Sequence, residues 1–127
     1  MKVIVDASVV VDYLRRRQAH DESLFIKFSR IGTVVFSLVT VAELYSGKSA
    51  QDEGSQREYI DSLIDGAEVM IPTVKTAKTV GMLRATYQLS LGDAFVAALA
   101  IEEKLPVLTA DKKAFEKVKV VRLLRDI

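Results

Sequence analysis

The sequence predicts an α/β domain with a parallel β-sheet between two layers of helices. Short apolar runs alternate along the chain with segments whose apolar residues recur at helical spacing. The apolar runs are continuous, as in Val3-Ile4-Val5, which is typical of strands that are buried on both faces. The segment from Asp93 to Glu103 is apolar almost all round, which predicts a helix that is buried on most sides.

The order of the predicted elements follows from these patterns and from the residues that interrupt them. Val10, Tyr13 and Leu14 have i, i+3, i+4 spacing and define the first helix, while Gly32 marks the end of the second. The predicted strands cover residues 2–5, 33–38, 69–71, 106–109 and 120–123. The predicted helices cover residues 7–17, 21–31, 41–49, 55–65, 73–89, 93–103 and 111–118.

Composition limits the classes of protein to which the chain can belong. The length of 127 residues suits a single domain over 1–127. There are no cysteines, which excludes disulfides, iron–sulfur clusters and cysteine-based zinc sites. No apolar run is long enough to span a bilayer, and the first residues lack the pattern of a signal peptide. We therefore expect a soluble, cytoplasmic protein with no membrane contact.

The net charge of +1 means that any contact with nucleic acid must come from local basic patches. One candidate patch is Arg15, Arg16 and Arg17. The other is the C-terminal set of Lys112, Lys113, Lys117, Lys119, Arg122 and Arg125. Taken alone, each patch is better explained as a solvated face or strand edge. The single histidine, His20, lies in a polar stretch and is expected to be an ordinary surface residue.

Four acidic residues occur where helices are predicted to begin. Asp6 and Asp111 each follow a strand, Asp93 opens the apolar helix, and Glu43 lies three residues after Thr40. Each can be explained as a helix cap, because Asp is a good N-cap and Thr40 with Glu43 forms a capping-box pattern. Together they support a second interpretation, because the carboxyl ends of parallel strands meet at one edge of the sheet.

Carboxylates gathered at one edge repel one another and stay ionised together only around a cation. An all-oxygen site favours Mg²⁺ or Mn²⁺, and such an ion usually completes its shell with water and substrate phosphate. The chemistry indicated is hydrolysis of a phosphodiester bond. No nucleotide-binding loop or serine-hydrolase motif accompanies these acids.

Four stretches in this order resemble the PIN-domain family, and within it the VapC-type toxins of prokaryotic toxin–antitoxin pairs. They are VIVDASVVVDYL (3–14), SLVTVAELYSG (37–47), LGDAFVAALAIEEKLPVLTAD (91–111) and the KKAF that follows. The resemblance implies a three-layer fold with a sheet of about five strands in the order 3-2-1-4-5. It also implies a Mg²⁺- or Mn²⁺-dependent ribonuclease that acts on RNA, usually as a homodimer silenced by a VapB-like antitoxin.

Carried over to this chain, the resemblance assigns roles to individual residues. Asp6, Glu43 and Asp93 would be the core metal ligands, and Asp111 would lie nearer the attacking water or a second metal. Ser8 and Thr109 would support the acidic cluster as hydroxyl residues. Four apolar or aromatic residues near Asp6 and Glu43 could form a groove for the tail of the antitoxin: Tyr13, Leu14, Leu44 and Tyr45. They could equally be ordinary core residues. Many relatives carry a basic or polar residue where this chain has Ala110.

Three other functions remain open at this point. The chain could be a housekeeping PIN nuclease that matures RNA without an antitoxin, or a non-catalytic PIN-fold binding module whose acids are only caps. A phosphoacceptor receiver domain also has an acidic Mg²⁺ pocket. It requires an acid after the middle strand, where this chain has Ile71-Pro72.

Overall fold

The structure is a computed structural model that describes residues 1–18, 23–47 and 55–125. Its strands are β1 (Lys2–Val5), β2 (Thr33–Ser37), β3 (Glu68–Met70) and β4 (Val107–Leu108). Its helices are α1 (Ala7–Gln18), α2 (Leu24–Ser29), α3 (Leu38–Ser46), α4 (Ser55–Asp65), α5 (Val74–Thr86), α6 (Leu91–Glu103) and α7 (Lys112–Glu116). The prediction for His20 falls outside the described residues.

The sheet is parallel and has the order β3-β2-β1-β4, which confirms the predicted α/β class. The fifth strand, predicted at 120–123, is reduced to one parallel bridge between Val107 and Leu123 on the outer side of β4. The strand is this short because the chain turns at Lys119 and Val120 immediately before it. A receiver domain would need a different strand order, 2-1-3-4-5, so that alternative is wrong.

Two apolar clusters fill the space between the sheet and its helices. On one face, Ile4 and Val107 pack with residues of α5 and α6. On the other face, Val3, Val5 and Phe36 pack with residues of α1 to α4. The alternation of Val3, Ile4 and Val5 between the two clusters explains why β1 is apolar throughout. None of the helices in the described ranges combines the length and the apolarity that crossing a bilayer requires.

The first turn of α3 differs from the prediction that Thr40 and Glu43 form a capping box. β2 runs directly into α3, so the helix begins at Leu38 and the Ser37 hydroxyl accepts from the Val39 N–H at 3.1 Å. Thr40 is fully buried inside the helix, and its hydroxyl has no hydrogen-bond partner among the residues that the structure describes. The capping-box prediction is wrong because the strand leaves no loop in which Thr40 could act as a cap. Glu43 is therefore not engaged in capping.

Helix α6 begins two residues earlier than predicted, at Leu91 rather than at Asp93. The hydroxyl of Ser90 caps it by accepting from the Asp93 N–H at 3.1 Å. Asp93 thus lies in the first turn, where its negative charge also interacts favourably with the helix dipole. Most of the following residues of α6 are buried, as the apolar pattern predicted.

Candidate active site

Asp6 and Asp111 belong to two neighbouring parallel strands. β1 and β4 pair through Ile4 with Val107 and Val5 with Leu108. The Asp6 N–H continues the ladder by donating to the Leu108 carbonyl at 3.2 Å. The residues that follow the two strands therefore meet at the same edge of the sheet, as the sequence predicted for carboxyl ends of parallel strands.

A network of hydroxyl groups holds the carboxylate of Asp6, which is only 3% exposed. Its Oδ1 accepts from the Ser8 N–H at 3.1 Å and from the Ser8 Oγ at 2.5 Å. Its Oδ2 accepts from Thr109 Oγ1 at 2.8 Å. Thr109 Oγ1 in turn accepts from the Asp111 N–H at 2.9 Å, and Ser8 Oγ accepts from the Ala110 N–H at 3.0 Å. Asp6 thus caps α1 and also links β1 to the segment after β4.

Glu43 reaches the same region from α3 and lies against the start of α6. A Cβ placed on Gly92 would overlap the carboxylate of Glu43. The absence of a side chain at Gly92 therefore leaves the space that this carboxylate occupies. Because Gly92 directly precedes Asp93, the contact brings α3 and its acid to the first turn of α6.

Asp93 interacts electrostatically with each of the other three acids. Its negative charge raises the pKa of both Asp6 and Glu43, and the charge of Asp111 raises its own. Lys117 acts in the opposite direction and lowers the pKa of Asp93. The structure thus brings together all four acids that the sequence singled out.

The pKa values of three of these acids lie above their ordinary values. Loss of hydration is the main cause; it is nearly complete at the buried Asp6 and partial at Glu43 and Asp93. Hydrogen bonds from Ser8 and Thr109 partly offset the effect at Asp6, whereas repulsion by the other carboxylates adds to it at Glu43. These acids resist ionising together, and a bound cation would relieve that cost.

The donor set is suited to a hard cation, although the side chains do not form a closed metal shell. Among the described residues, no group of three or more His, Cys, Asp or Glu side chains is arranged closely enough to hold an ion. Mg²⁺ commonly keeps several waters and binds through only one or two carboxylates, so an open cluster of oxygen ligands fits it. Zinc and copper sites would instead favour nitrogen or sulfur ligands.

Two of the four predicted groove residues line a cleft beside the acids. The cleft has a volume of about 380 Å³ and lies between α1, α3 and α4. Leu14, Leu44 and Glu43 are among its lining residues. Tyr13 instead packs on the ring of Phe25 at 5.4 Å between ring centroids. The hydroxyl of Tyr45 donates to Asp61 of α4, so neither tyrosine lines the cleft.

Gly92 and Lys117 are two features of the site that the sequence did not indicate. Gly92 could be found only through its contact with Glu43, because its neighbours in sequence give no sign of a close approach. Lys117 was placed in a general basic patch, but its ammonium donates to the Gln88 carbonyl and acts on Asp93. It therefore anchors the segment that leads into α6.

The sequence matches the family described as PIN domain over residues 3–121. The chain therefore belongs to the PIN-domain family. A curated relative is Ribonuclease VapC1 of Methanocaldococcus jannaschii, which is 27% identical over 125 residues. That alignment covers 93% of this chain and 82% of the relative.

Solved structures with the same fold include toxin–antitoxin complexes. One is VapBC2 from Rickettsia felis bound to a DNA fragment from its promoter, with a TM-score of 0.80, 18% identity and 100% coverage of both chains. Another is VapBC-1 from nontypeable Haemophilus influenzae, with a TM-score of 0.74, 16% identity and coverage of 98% and 97%. VapBC-5 from Mycobacterium tuberculosis has a TM-score of 0.69, 21% identity and 98% coverage of both chains. These similarities show the fold.

Proposed function

We propose that this protein is a divalent-metal-dependent endoribonuclease that hydrolyses phosphodiester bonds in RNA. The observation that carries the proposal is the convergence of four acids: adjacent parallel strands place Asp6 and Asp111 at one edge of the sheet, and Glu43 lies against Gly92 beside Asp93. A purely structural set of helix caps has no reason to place carboxylates from four different elements at one edge of the sheet. The name of the curated relative, a ribonuclease, supports this function.

Asp6, Glu43 and Asp93 are the residues that would hold Mg²⁺ or Mn²⁺. When bound, such an ion supplies a more acidic water and neutralises charge that develops on the phosphate. Ser8 and Thr109 fix the Asp6 carboxylate through the bonds described above. They leave the remaining lone pairs of that carboxylate available to a ligand.

Asp111 has a different task in this proposal. It is exposed, and no hydrogen bond from its side chain caps α7. Its carboxylate is therefore available to orient the attacking water. Ser90 caps the first turn of α6, so that Asp93 is presented from a capped, mostly buried helix.

We further propose that the nuclease is the toxin of a VapBC-type pair, with a VapB-like antitoxin as its partner. The similar solved structures include VapBC complexes. The cleft beside Glu43 suits an apolar antitoxin segment, because Val11, Leu14, Leu44 and Ile60 line it together with Arg15. A housekeeping nuclease has no need of this partner. The homodimer and the cytoplasmic location stay predictions.

Metal-dependent cleavage of a mixed RNA pool tests the nuclease activity. We expect cleavage with Mg²⁺ or Mn²⁺, none with EDTA, and none by a folded Asp93→Asn variant. Asp65→Asn is the matched control, because it makes the same change at an exposed position at the end of α4. Equal cleavage by the wild type and by Asp93→Asn would contradict the proposal.

Binding of the antitoxin is tested separately by co-purification with the product of a small gene upstream of this one. Val11 is 45% exposed in the cleft, so Val11→Glu should abolish co-purification and leave cleavage intact. Met82→Glu is the control, because Met82 is 61% exposed on α5 outside the cleft. A cleaving enzyme that captures no such product would favour the housekeeping nuclease.

A further inference from the structure

A second pocket adjoins the network of hydroxyl groups that holds Asp6. It lies between α1, α2 and the segment that joins β4 to α7, and its volume is about 290 Å³. Lys27 lines it from α2, and Lys112 lines it from the start of α7. Thr109 and Ala110 form its boundary with the acidic site. This surface is called the basic pocket below.

The charges that line the basic pocket do not cancel. Arg16 pairs with Asp12 at 2.8 Å, so that these two charges offset one another. Lys27 and Lys112 are exposed, and neither ammonium has a hydrogen bond or ion pair with a described residue. Two cations with no such partner among the described residues share one concave surface, which attracts an anion and limits where it can bind.

The pocket is continuous with the residues that hold Asp6. Thr109 lines the pocket, and its hydroxyl donates to Asp6 Oδ2 at 2.8 Å. The Ala110 N–H donates to Ser8 Oγ at 3.0 Å. The small side chain of Ala110 leaves the pocket open where a longer one would project into it. A polyanion that reaches the carboxylates would therefore extend naturally over Thr109 and Ala110 towards the two lysines.

We propose that the basic pocket binds a non-scissile phosphate of single-stranded RNA, with Lys27 and Lys112 as the two cations that contact it. This inference rests on the proposed function, because the phosphate belongs to the RNA that the acidic site cleaves. The same contacts position the chain of the substrate without reading its sequence, since phosphates are common to every nucleotide. The basic pocket thus increases the affinity for RNA and aligns the RNA backbone with the acidic site, whose own negative charge repels RNA.

The salt dependence of RNA binding tests the role of the two lysines. Fluorescence anisotropy of a labelled single-stranded RNA is measured with the full chain in EDTA, which prevents cleavage. For Lys27→Gln/Lys112→Gln we expect roughly tenfold weaker binding at low salt. The slope of log K against log salt should be less steep by about 0.7 for each lysine. In Mg²⁺, the same variant should raise KM more than it lowers kcat.

Two further variants separate a phosphate contact from a structural role. Lys75→Gln/Lys78→Gln removes the same charge from exposed positions on α5 and should keep the wild-type slope. Lys27→Arg/Lys112→Arg keeps the charge and should restore both the affinity and the slope. Melting temperatures of all variants are compared to establish that each is folded.

The possible failures point to different conclusions. If the glutamine variant keeps the wild-type slope and KM, the basic pocket has no role in RNA binding, although the nuclease stands. If the arginine variant fails as the glutamine variant does, the lysines act structurally and the pocket proposal is wrong. If the wild type neither binds nor cleaves RNA, both the pocket proposal and the proposed function are overturned.

Discussion

Asp6 and Asp111 follow adjacent parallel strands and precede helices, yet their surroundings differ. Asp6 is 3% exposed and receives hydrogen bonds from Ser8 and Thr109. Asp111 is exposed, and its side chain makes no capping bond. The same position relative to a strand therefore produces one buried, hydrogen-bonded carboxylate and one exposed carboxylate. A fixed carboxylate is suited to hold an ion, and an accessible one is suited to meet a water.

The largest expected effects on RNA cleavage come from Asp6→Asn and Asp111→Asn, which separate holding the ion from orienting the water. Asp6→Asn removes the buried carboxylate that we propose holds the metal, so kcat/KM on RNA should fall by about 10³-fold and Mg²⁺ binding by calorimetry should be lost. Asp111→Asn should lower kcat/KM by roughly tenfold to a hundredfold and leave Mg²⁺ affinity nearly unchanged. Equal loss of Mg²⁺ affinity in the two variants would remove the distinction.

Gly92→Ala tests a third acid, Glu43, whose carboxylate lies against Gly92. The added Cβ would displace the carboxylate of Glu43, so activity should fall by about a hundredfold. The free energy of unfolding should change by less than about 1 kcal/mol, because Glu43 is exposed and can move while alanine favours the helix. Gly81→Ala on α5 is the control, since nothing lies within 4 Å of its added Cβ.

The comparison of the two glycine variants uses RNA cleavage together with thermal unfolding. Gly81→Ala should keep full activity and raise the free energy of unfolding by about 0.5–1 kcal/mol. If Gly92→Ala cleaves as well as the wild type, the position of the Glu43 carboxylate against Gly92 has no bearing on catalysis.

Thr109→Val tests how far the position of the Asp6 carboxylate depends on its hydrogen bond from Thr109. Valine keeps the shape of threonine but removes the donor to Asp6 and the acceptor for the Asp111 N–H. We expect activity to fall by about tenfold and the free energy of unfolding by about 1–2 kcal/mol. Thr79→Val removes a hydroxyl on α5 that donates to the Lys75 carbonyl, and it should leave activity unchanged.

The pH dependence of stability should show the smallest effect. In metal-free protein the pKa values of Asp6, Glu43 and Asp93 lie above the ordinary values of 3.8, 4.5 and 3.8. The folded state therefore binds more protons than the unfolded state in this range. The contribution to stability is fully present below the ordinary values and is lost as the pH rises through the raised ones.

Thermal unfolding of the apo protein from pH 4 to pH 8 checks this sign. Asp93→Asn should make the melting temperature fall less steeply with rising pH. At neutral pH it should raise the melting temperature by roughly 2–5 °C, because it removes the charge that repels Asp6 and Glu43. Asp65→Asn should leave the profile of the wild type unchanged. A profile for Asp93→Asn that declines as steeply as the wild type would show that repulsion at Asp93 is not its cause.

Much of the fold could be predicted because its signals are local. Val3-Ile4-Val5 indicates a strand buried on both faces, and the apolar residues of α6 indicate a helix enclosed by others. Acids placed just after parallel strands were also predictable neighbours, because the carboxyl ends of such strands share an edge. The motif resemblance added the family, which the comparison with known proteins confirmed over residues 3–121.

The sequence by itself thus determined the class of fold, the order of its elements and the four acids at one edge. Tertiary structure decided how each side chain is used. Thr40 is buried rather than capping because β2 continues into α3, and Gly92 matters only because Glu43 packs over it. Lys27 and Lys112, far apart in sequence, meet in one pocket. Local patterns encode periodicity, whereas these contacts join residues distant in the chain and exist only once the helices pack on the sheet.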